Sequence, residues 1–264
     1  MNLTDNAKEI NTSQRKHHRL LLTVMLVILF IIIILSFGVG YYPLTPSQVL
    51  KAFLSKFGYK GDILPQAATI FWNIRLPRTL SALFIGVSLS VAGSTYQGMF
   101  RNPLVSPDIL GVSSGASLGA AFAILNGASN WVTQLSAFAG GVIAVAASYL
   151  ISRKSAHSHT LSLVLTGTMI MSLCNAGVTM IKYIADPNDV LQQITFWLMG
   201  SLTKTTMNSF VWSVIPMIIG LSMIFIFRWQ INLLTLDEEE ARSLGINIRK
   251  YRLIFIIAST LLSA

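Results

Sequence analysis

Apolar residues in this chain run in long blocks rather than alternating or recurring every third or fourth position. The first block is Leu20–Phe37, preceded by Arg15, Lys16 and Arg19. At 1.5 Å per residue it nearly crosses a hydrocarbon core of about 30 Å. Further blocks cover about 78–99, 109–126, 131–151, 161–184, 208–228 and 252–264. Each is read as a helix, because lipid leaves no water to satisfy open backbone groups. The expectation is an all-α, polytopic transmembrane bundle. The first block exceeds the hydrophobic region of a secretory signal, and Gly38-Val39-Gly40-Tyr41-Tyr42 offers no small-x-small cleavage site, so it is read as an uncleaved first helix. The last block, thirteen residues from 252 to 264, is too short to span and reads as a helix cut short.

Between the blocks, 43–74 contains Pro43, Pro46 and Pro65 and an amphipathic stretch at 49–57. Segment 185–207 opens on the turn signal Asp186-Pro187-Asn188-Asp189 and continues into a short apolar helix at 191–200. Both are expected to be external elements. The predicted organisation is a cytoplasmic tail at 1–19 and one transmembrane domain at 20–264, whose loop 229–251 is the only sizeable cytoplasmic one.

Composition sharpens this picture. Hydrophobic residues make up 53% of the 264 and charged residues 11%, less than half the roughly 25% of a soluble domain. A water-soluble enzyme and a disordered chain are both excluded. The net charge of +9 does not point to nucleic acid, since the basic residues sit at the edges of apolar runs without interleaved stacking aromatics. With the N-terminus inside, twelve lysines and arginines fall on the cytoplasmic side and seven outside, as the positive-inside bias requires. The single cysteine, Cys174, lies within an apolar block, so no intrachain disulfide forms.

Several polar and glycine patterns stand out. Gly111, Gly115 and Gly119 repeat at four-residue spacing and would line one helix face, either for close packing alone or for a helix that slides against its neighbours. Thr168, Ser172, Asn175, Thr179 and Lys182 recur at spacings of four and three, while Leu173, Val178 and Ile181 point elsewhere. That stripe is either a set of interhelical hydrogen bonders or one wall of an aqueous pathway.

Arg75 and Arg78, in Arg75-Leu76-Pro77-Arg78, stand outside against the charge bias, with Pro77 read as a helix start. They are either snorkelling anchors or a docking site for the carboxylates of an external partner. Asn102-Pro103-Leu104 forms a tight turn at the cytoplasmic end of the second span, or a constriction at a pore mouth. Asp237-Glu238-Glu239-Glu240, followed by Ala241, Leu244 and Gly245, reads as a short loop helix suited to docking into another protein's groove.

Catalytic chemistry is not evident. His157 and His159 lack further ligands, so no metal site is expected. No lysine follows a glycine, so there is no Walker A motif, and no cofactor or catalytic residue is assigned. Any nucleotide-driven step belongs to another chain. The rivals are a secondary transporter built on inverted repeats, weakened by the lack of an intramembrane acid, and a membrane-embedded enzyme, for which no constellation is present.

Taken in order, Arg75–Arg78, Ala92-Gly93 through Gln97, Arg101–Leu104, Gly111–Ala116, Phe196–Ser201 and Ala241–Ile246 resemble the FecCD/BtuC family of permease subunits of type II ABC importers. The resemblance implies a BtuC-like helix bundle, about seven of whose ten helices are present here. It implies a multi-pass protein of a prokaryotic cell membrane that pairs with a second permease subunit, two ATP-binding cassette subunits and an extracytoplasmic binding protein. Its cargo would be an iron–siderophore, with haem, cobalamin or an oxyanion as alternatives. By the same resemblance, Arg75 and Arg78 would pair with glutamates of the binding protein. Asn102, Pro103 and Leu104, with Ser158, His159 and Thr160, would form the cytoplasmic gate. The stripe from Thr168 to Lys182 would face the pathway, and Asp237–Gly245 would couple to the ATPase.

Overall fold

A computed structural model describes residues 3–58, 65–153, 159–234 and 247–264. Among them every regular element is helical, as lipid-embedded backbone demands. Among the described residues five helices are long and apolar enough to cross a membrane: Arg15–Gly38, Pro65–Phe100, Asn130–Ser152, Leu161–Ile184 and Met207–Ile226. The chain divides into two compact units, one of residues 1–80 with 205–207, the other of 81–204 with 208–264.

In the first unit, α1 spans Leu3–Gly38. The tail expected at 1–19 is thus helical from Leu3, as no glycine or proline interrupts residues 3–19. Helix α2, Pro46–Leu54, starts from a capping box. In it the Thr45 N–H donates to Gln48 Oε1 at 2.9 Å, and Thr45 Oγ1 accepts from the Gln48 N–H at 3.4 Å. A 3₁₀ turn at Ser55–Phe57 follows and stops at Gly58, whose φ of 91° favours glycine.

The second spanning helix begins earlier than the sequence suggests. Helix α3 at Pro65–Ile70 passes through a π-helical turn at Phe71–Arg75 directly into α4, Leu76–Phe100. Pro77 is therefore not a helix start but an interior residue. In a regular α-helix its ring would crowd the carbonyl four residues back. The π turn, in which the Leu76 N–H reaches the Phe71 carbonyl, widens the ladder just before it. Trp72 Nε1 donates to the Ala52 carbonyl at 2.8 Å and the ring stacks on Phe53 with centroids 6.1 Å apart, so α2 lies against this turn.

In the second unit, α5 (Val112–Leu125), α6 (Asn130–Ser152) and α7 (His159–Ile184) pack against one another. Helix α5 has 14 residues, about 21 Å, and does not fill the block expected at 109–126. The chain turns at 106–111 instead: the Gly111 N–H bonds to the Asp108 carbonyl at 2.8 Å, and Asp108 Oδ1 accepts from the Ser113 N–H at 2.7 Å. The Asp108 side chain thereby satisfies a first-turn donor of α5.

Helix α8, Val190–Met199, buries Ile194 against α5 and α7. Then come α9 (Met207–Ile226), α10 (Arg228–Leu234) and α11 (Ile248–Ser263). Helix α10 begins at Arg228 and takes up the first six residues of the stretch expected to be a loop from 229. Helix α11 begins before residue 252, capped by Asn247 Oδ1 on the Lys250 N–H at 3.1 Å. One apolar core joins Tyr96, Met99 and Phe100 of α4 with Leu110, Val145, Leu163, Ile224, Leu234 and Phe255.

Candidate functional site

The glycines that looked alike in sequence have different surroundings. Gly115 and Gly119 lie where α5 crosses α6. A Cβ on Gly115 would stand 2.5 Å from both the Gly140 carbonyl oxygen and the Ala144 methyl, and one on Gly119 would overlap the Ser136 carbonyl. Gly111 stands outside the helix as its N-terminal cap, with φ 80°. It faces Gly167 and Met171 of α7. Without a hydrophobic drive between helices in lipid, this backbone proximity is what dispersion attraction needs.

Hydroxyl groups reinforce the same three-helix contact. Thr166 Oγ1 donates to the Ser148 carbonyl at 3.0 Å, Ser148 Oγ to the Leu110 carbonyl at 3.2 Å, and Ser162 Oγ to the Ser152 carbonyl at 3.5 Å. Sequence reasoning passed over these residues. Their signal was two i, i+4 hydroxyl pairs, Ser148/Ser152 and Ser162/Thr166, near the facing ends of consecutive spans.

The stripe on α7 is separate from that contact. Thr168, Ser172, Asn175 and Thr179 are exposed and Lys182 half-buried; Cys174, Val178 and Ile181 are buried on one flank of the stripe, and Met169, Leu173 and Met180 are exposed on the other. The stripe hydroxyls return to their own helix: Thr168 Oγ1 to the Leu165 carbonyl at 2.8 Å, Ser172 Oγ to that of Thr168 at 2.9 Å, and Thr179 Oγ1 to that of Asn175 at 2.9 Å. These groups are satisfied without a neighbouring helix.

The structure gives Arg75 and Arg78 different surroundings. Arg75 is only 8% exposed, and its terminal nitrogens donate to the backbone carbonyls of Phe37 and Tyr42. Phe37 lies in the last turn of α1, whose carbonyls have no intrahelical partner and carry partial negative charge. Gly40 makes room for the guanidinium, since a Cβ there would stand 3.0 Å from Arg75 Nη2. Arg78 is half-buried, one turn along α4.

The turn Asn102-Pro103-Leu104 projects from the end of α4. Asn102 Oδ1 accepts from the Leu104 N–H at 2.9 Å, a local turn that leaves the Leu104 side chain 89% exposed while Val105 is buried. Ser158 lies outside the described residues, and His159 and Thr160 are the first two residues of α7. Asp237, Glu238, Glu239, Glu240, Ala241, Leu244 and Gly245 also lie outside the described residues. Among the described residues no group of three or more His, Cys, Asp or Glu side chains is placed to hold a metal ion.

Comparison with known proteins gives a consistent answer. Residues 28–264 match the model of the FecCD transport family. The chain is 34% identical over 226 residues to the molybdate import system permease protein MolB of Haemophilus influenzae, covering 86% of this chain and 67% of that one. It is 38% identical over 204 residues to a protein of Helicobacter pylori named a probable iron chelatin transport system permease, covering 77% and 61%. A solved structure of a metal-chelate-type ABC transporter in an inward-facing conformation aligns with a TM-score of 0.79 at 33% identity, over 92% of this chain and 73% of that one. The chain thus spans 61 to 67% of the length of these curated relatives.

Proposed function

The chain belongs to the FecCD transport family, and on that footing we propose that it is the membrane-embedded permease subunit of an ABC importer, passing cargo to the cytoplasm by alternating access. It performs no covalent chemistry. ATP hydrolysis belongs to two cassette subunits docked on the cytoplasmic side, cargo is delivered by an external binding protein, and a second permease subunit completes the pathway. The N-terminus is cytoplasmic.

The observation that carries this reading is the α7 stripe. From Thr168 to Lys182 it extends over about 21 Å, most of a hydrocarbon core. Polar groups at that depth are costly in contact with lipid. They are tolerable along a water-filled path, and hydroxyls already bonded within their own helix present a smooth, weakly binding wall to a passing solute. The stripe therefore lines the pathway at the boundary with the second subunit.

The start of α4 near Arg78 is the docking place for the binding protein, with Arg78 offering its charge to a carboxylate and Arg75 holding the surrounding backbone in place. Asn102, Pro103 and Leu104, with Ser158, His159 and Thr160, form the cytoplasmic gate, and Asp237–Gly245 contacts the ATPase. The cargo is an iron–siderophore or related metal chelate. That assignment is supported by the iron chelatin relative and the metal-chelate-type neighbour, against relatives named for molybdate, hemin and vitamin B12.

Cysteine accessibility tests the stripe. In a Cys174→Ala background, single cysteines replace Thr168, Ser172, Asn175 and Thr179, and Met169 and Leu173 serve as apolar controls. Membrane-impermeant thiol reagents are expected to modify the four stripe positions and spare the two controls. Equal labelling of both sets contradicts a pathway wall.

A further inference from the structure

Helix α4 ends in a Schellman motif. The Arg101 N–H bonds to the Gly98 carbonyl at 3.3 Å and the Asn102 N–H to that of Gln97 at 3.1 Å, the two reversed bonds that close such an end. The residue between them must adopt a left-handed conformation, and Arg101 does so with φ 53°. Elsewhere among the described residues every positive φ belongs to glycine, at Gly58, Gly111, Gly127 and Gly200. Any Cβ is disfavoured in this conformation. An arginine in a conformation that glycine adopts more easily points to a task for its side chain.

That task is visible in the same unit. Arg101 Nε donates to the carbonyl of Leu234, the last residue of α10, at 3.4 Å. A backbone carbonyl oxygen has two lone pairs, and a charged guanidinium N–H is a strong donor to it. The apolar contact beneath sets the same two elements together. A Cβ on Gly98 would stand 3.1 Å from Ile231 Cγ2, and Phe100, Val105 and Leu234 share one buried cluster.

We infer that Arg101 is a positioning residue that ties the end of α10 to the α4–α5 turn, so that a displacement of α10 is transmitted to Asn102–Leu104. The inference rests on the permease reading, in which that turn is the gate and α10 leads into the segment that meets the ATPase. In this arrangement the guanidinium and the apolar contact act together: packing holds the two elements adjacent, and the hydrogen bond fixes their register. Loss of the bond leaves the packing in place but lets the end of α10 move without the turn.

The test uses Arg101→Gly, which suits the left-handed backbone and removes only the side chain, beside Arg101→Lys, which keeps the charge without Nε. On the purified full chain, hydrogen exchange is expected to quicken at least tenfold over residues 228–234 in Arg101→Gly. Exchange in α5 and α6 should stay unchanged. In the reconstituted importer both variants should spend at least five times more ATP per cargo molecule imported. Wild-type exchange over 228–234 together with a wild-type ATP-to-cargo ratio in Arg101→Gly overturns the inference. Should the wild-type chain recruit no ATPase, the permease reading fails while the exchange result still decides the Arg101–Leu234 tie.

Discussion

The 3.0 Å bond from Thr166 Oγ1 to the carbonyl of Ser148 joins α7 to α6 two residues before the exposed stripe that begins at Thr168. Two hydroxyls on one helix thus differ in reach: the buried Thr166 shares its proton between the Ser148 carbonyl of α6 and, at 2.9 Å, the Ser162 carbonyl of its own helix, whereas the exposed Thr168 is bonded only within its own helix. Interhelical bonds in a membrane contribute about 0.6 kcal/mol on average. Thr166→Val is therefore expected to lower the thermal unfolding midpoint in detergent modestly. Thr168→Val should leave it unchanged and lower import instead. Equal midpoint losses in the two variants would contradict this division of labour.

Arg75 and Arg78 should separate in the same way. Removing the Arg75 side chain leaves the Phe37 and Tyr42 carbonyls without their charged donor. The expected loss is roughly 2–4 kcal/mol, so Arg75→Ala should purify poorly or unfold at markedly lower temperature. On the proposed docking role, Arg78→Glu should lose less stability than Arg75→Ala yet lose affinity for the binding protein at least tenfold, because a like charge would then face the partner's carboxylate. Vesicle pull-down with the binding protein, alongside unfolding curves, checks both. A stable Arg75→Ala with abolished docking would show that Arg75 acts outward.

Glycine substitutions give a sharper contrast. Gly119→Val forces a side chain into the Ser136 carbonyl of α6, whereas nothing lies within 4 Å of a Cβ on Gly86. The first should abolish recovery of folded protein from the membrane and the second should be silent, as read by size-exclusion profiles. A well-folded Gly119→Val would mean that α5 and α6 do not pack this closely.

Asp108 supplies a fourth test. Its carboxylate bonds to the Ser113 N–H at the start of α5 at 2.7 Å, and loss of such a cap costs about 1 kcal/mol. Asp108→Asn, which keeps an acceptor, should retain most of the stability that Asp108→Ala loses. Matching unfolding midpoints for the two variants would exclude a capping role.

The chain's membrane character was legible because long apolar blocks have one solution in lipid. Four of the five spanning helices fall close to the expected positions. The second span was misread at its start because a proline ordinarily begins a helix, and a π turn that admits Pro77 inside one leaves no mark in hydropathy. The block at 109–126 was read too long because Gly111 is apolar enough to extend a run but adopts a left-handed φ that ends it.

Site residues were legible as types rather than as partners. The spacing of Thr168–Lys182 put these residues on one side of α7, since helical periodicity acts within one element, but it did not show that Leu173 and Met169 are exposed beside them. Arg75 was different. Its partners Phe37 and Tyr42 lie more than thirty positions upstream, and backbone carbonyls have no residue signature. A pattern in side chains cannot reveal that a guanidinium is already engaged by main chain.

The central claim is that this chain is a passive conduit whose states are set by the proteins on its two sides. Reconstitution in vesicles with its ATPase and binding protein, measuring uptake of a radiolabelled iron chelate with and without ATP, tests it most directly. Uptake against a gradient should require all three components and cease on removing nucleotide. Concentrative uptake by the permease alone, with no ATPase present, would contradict it.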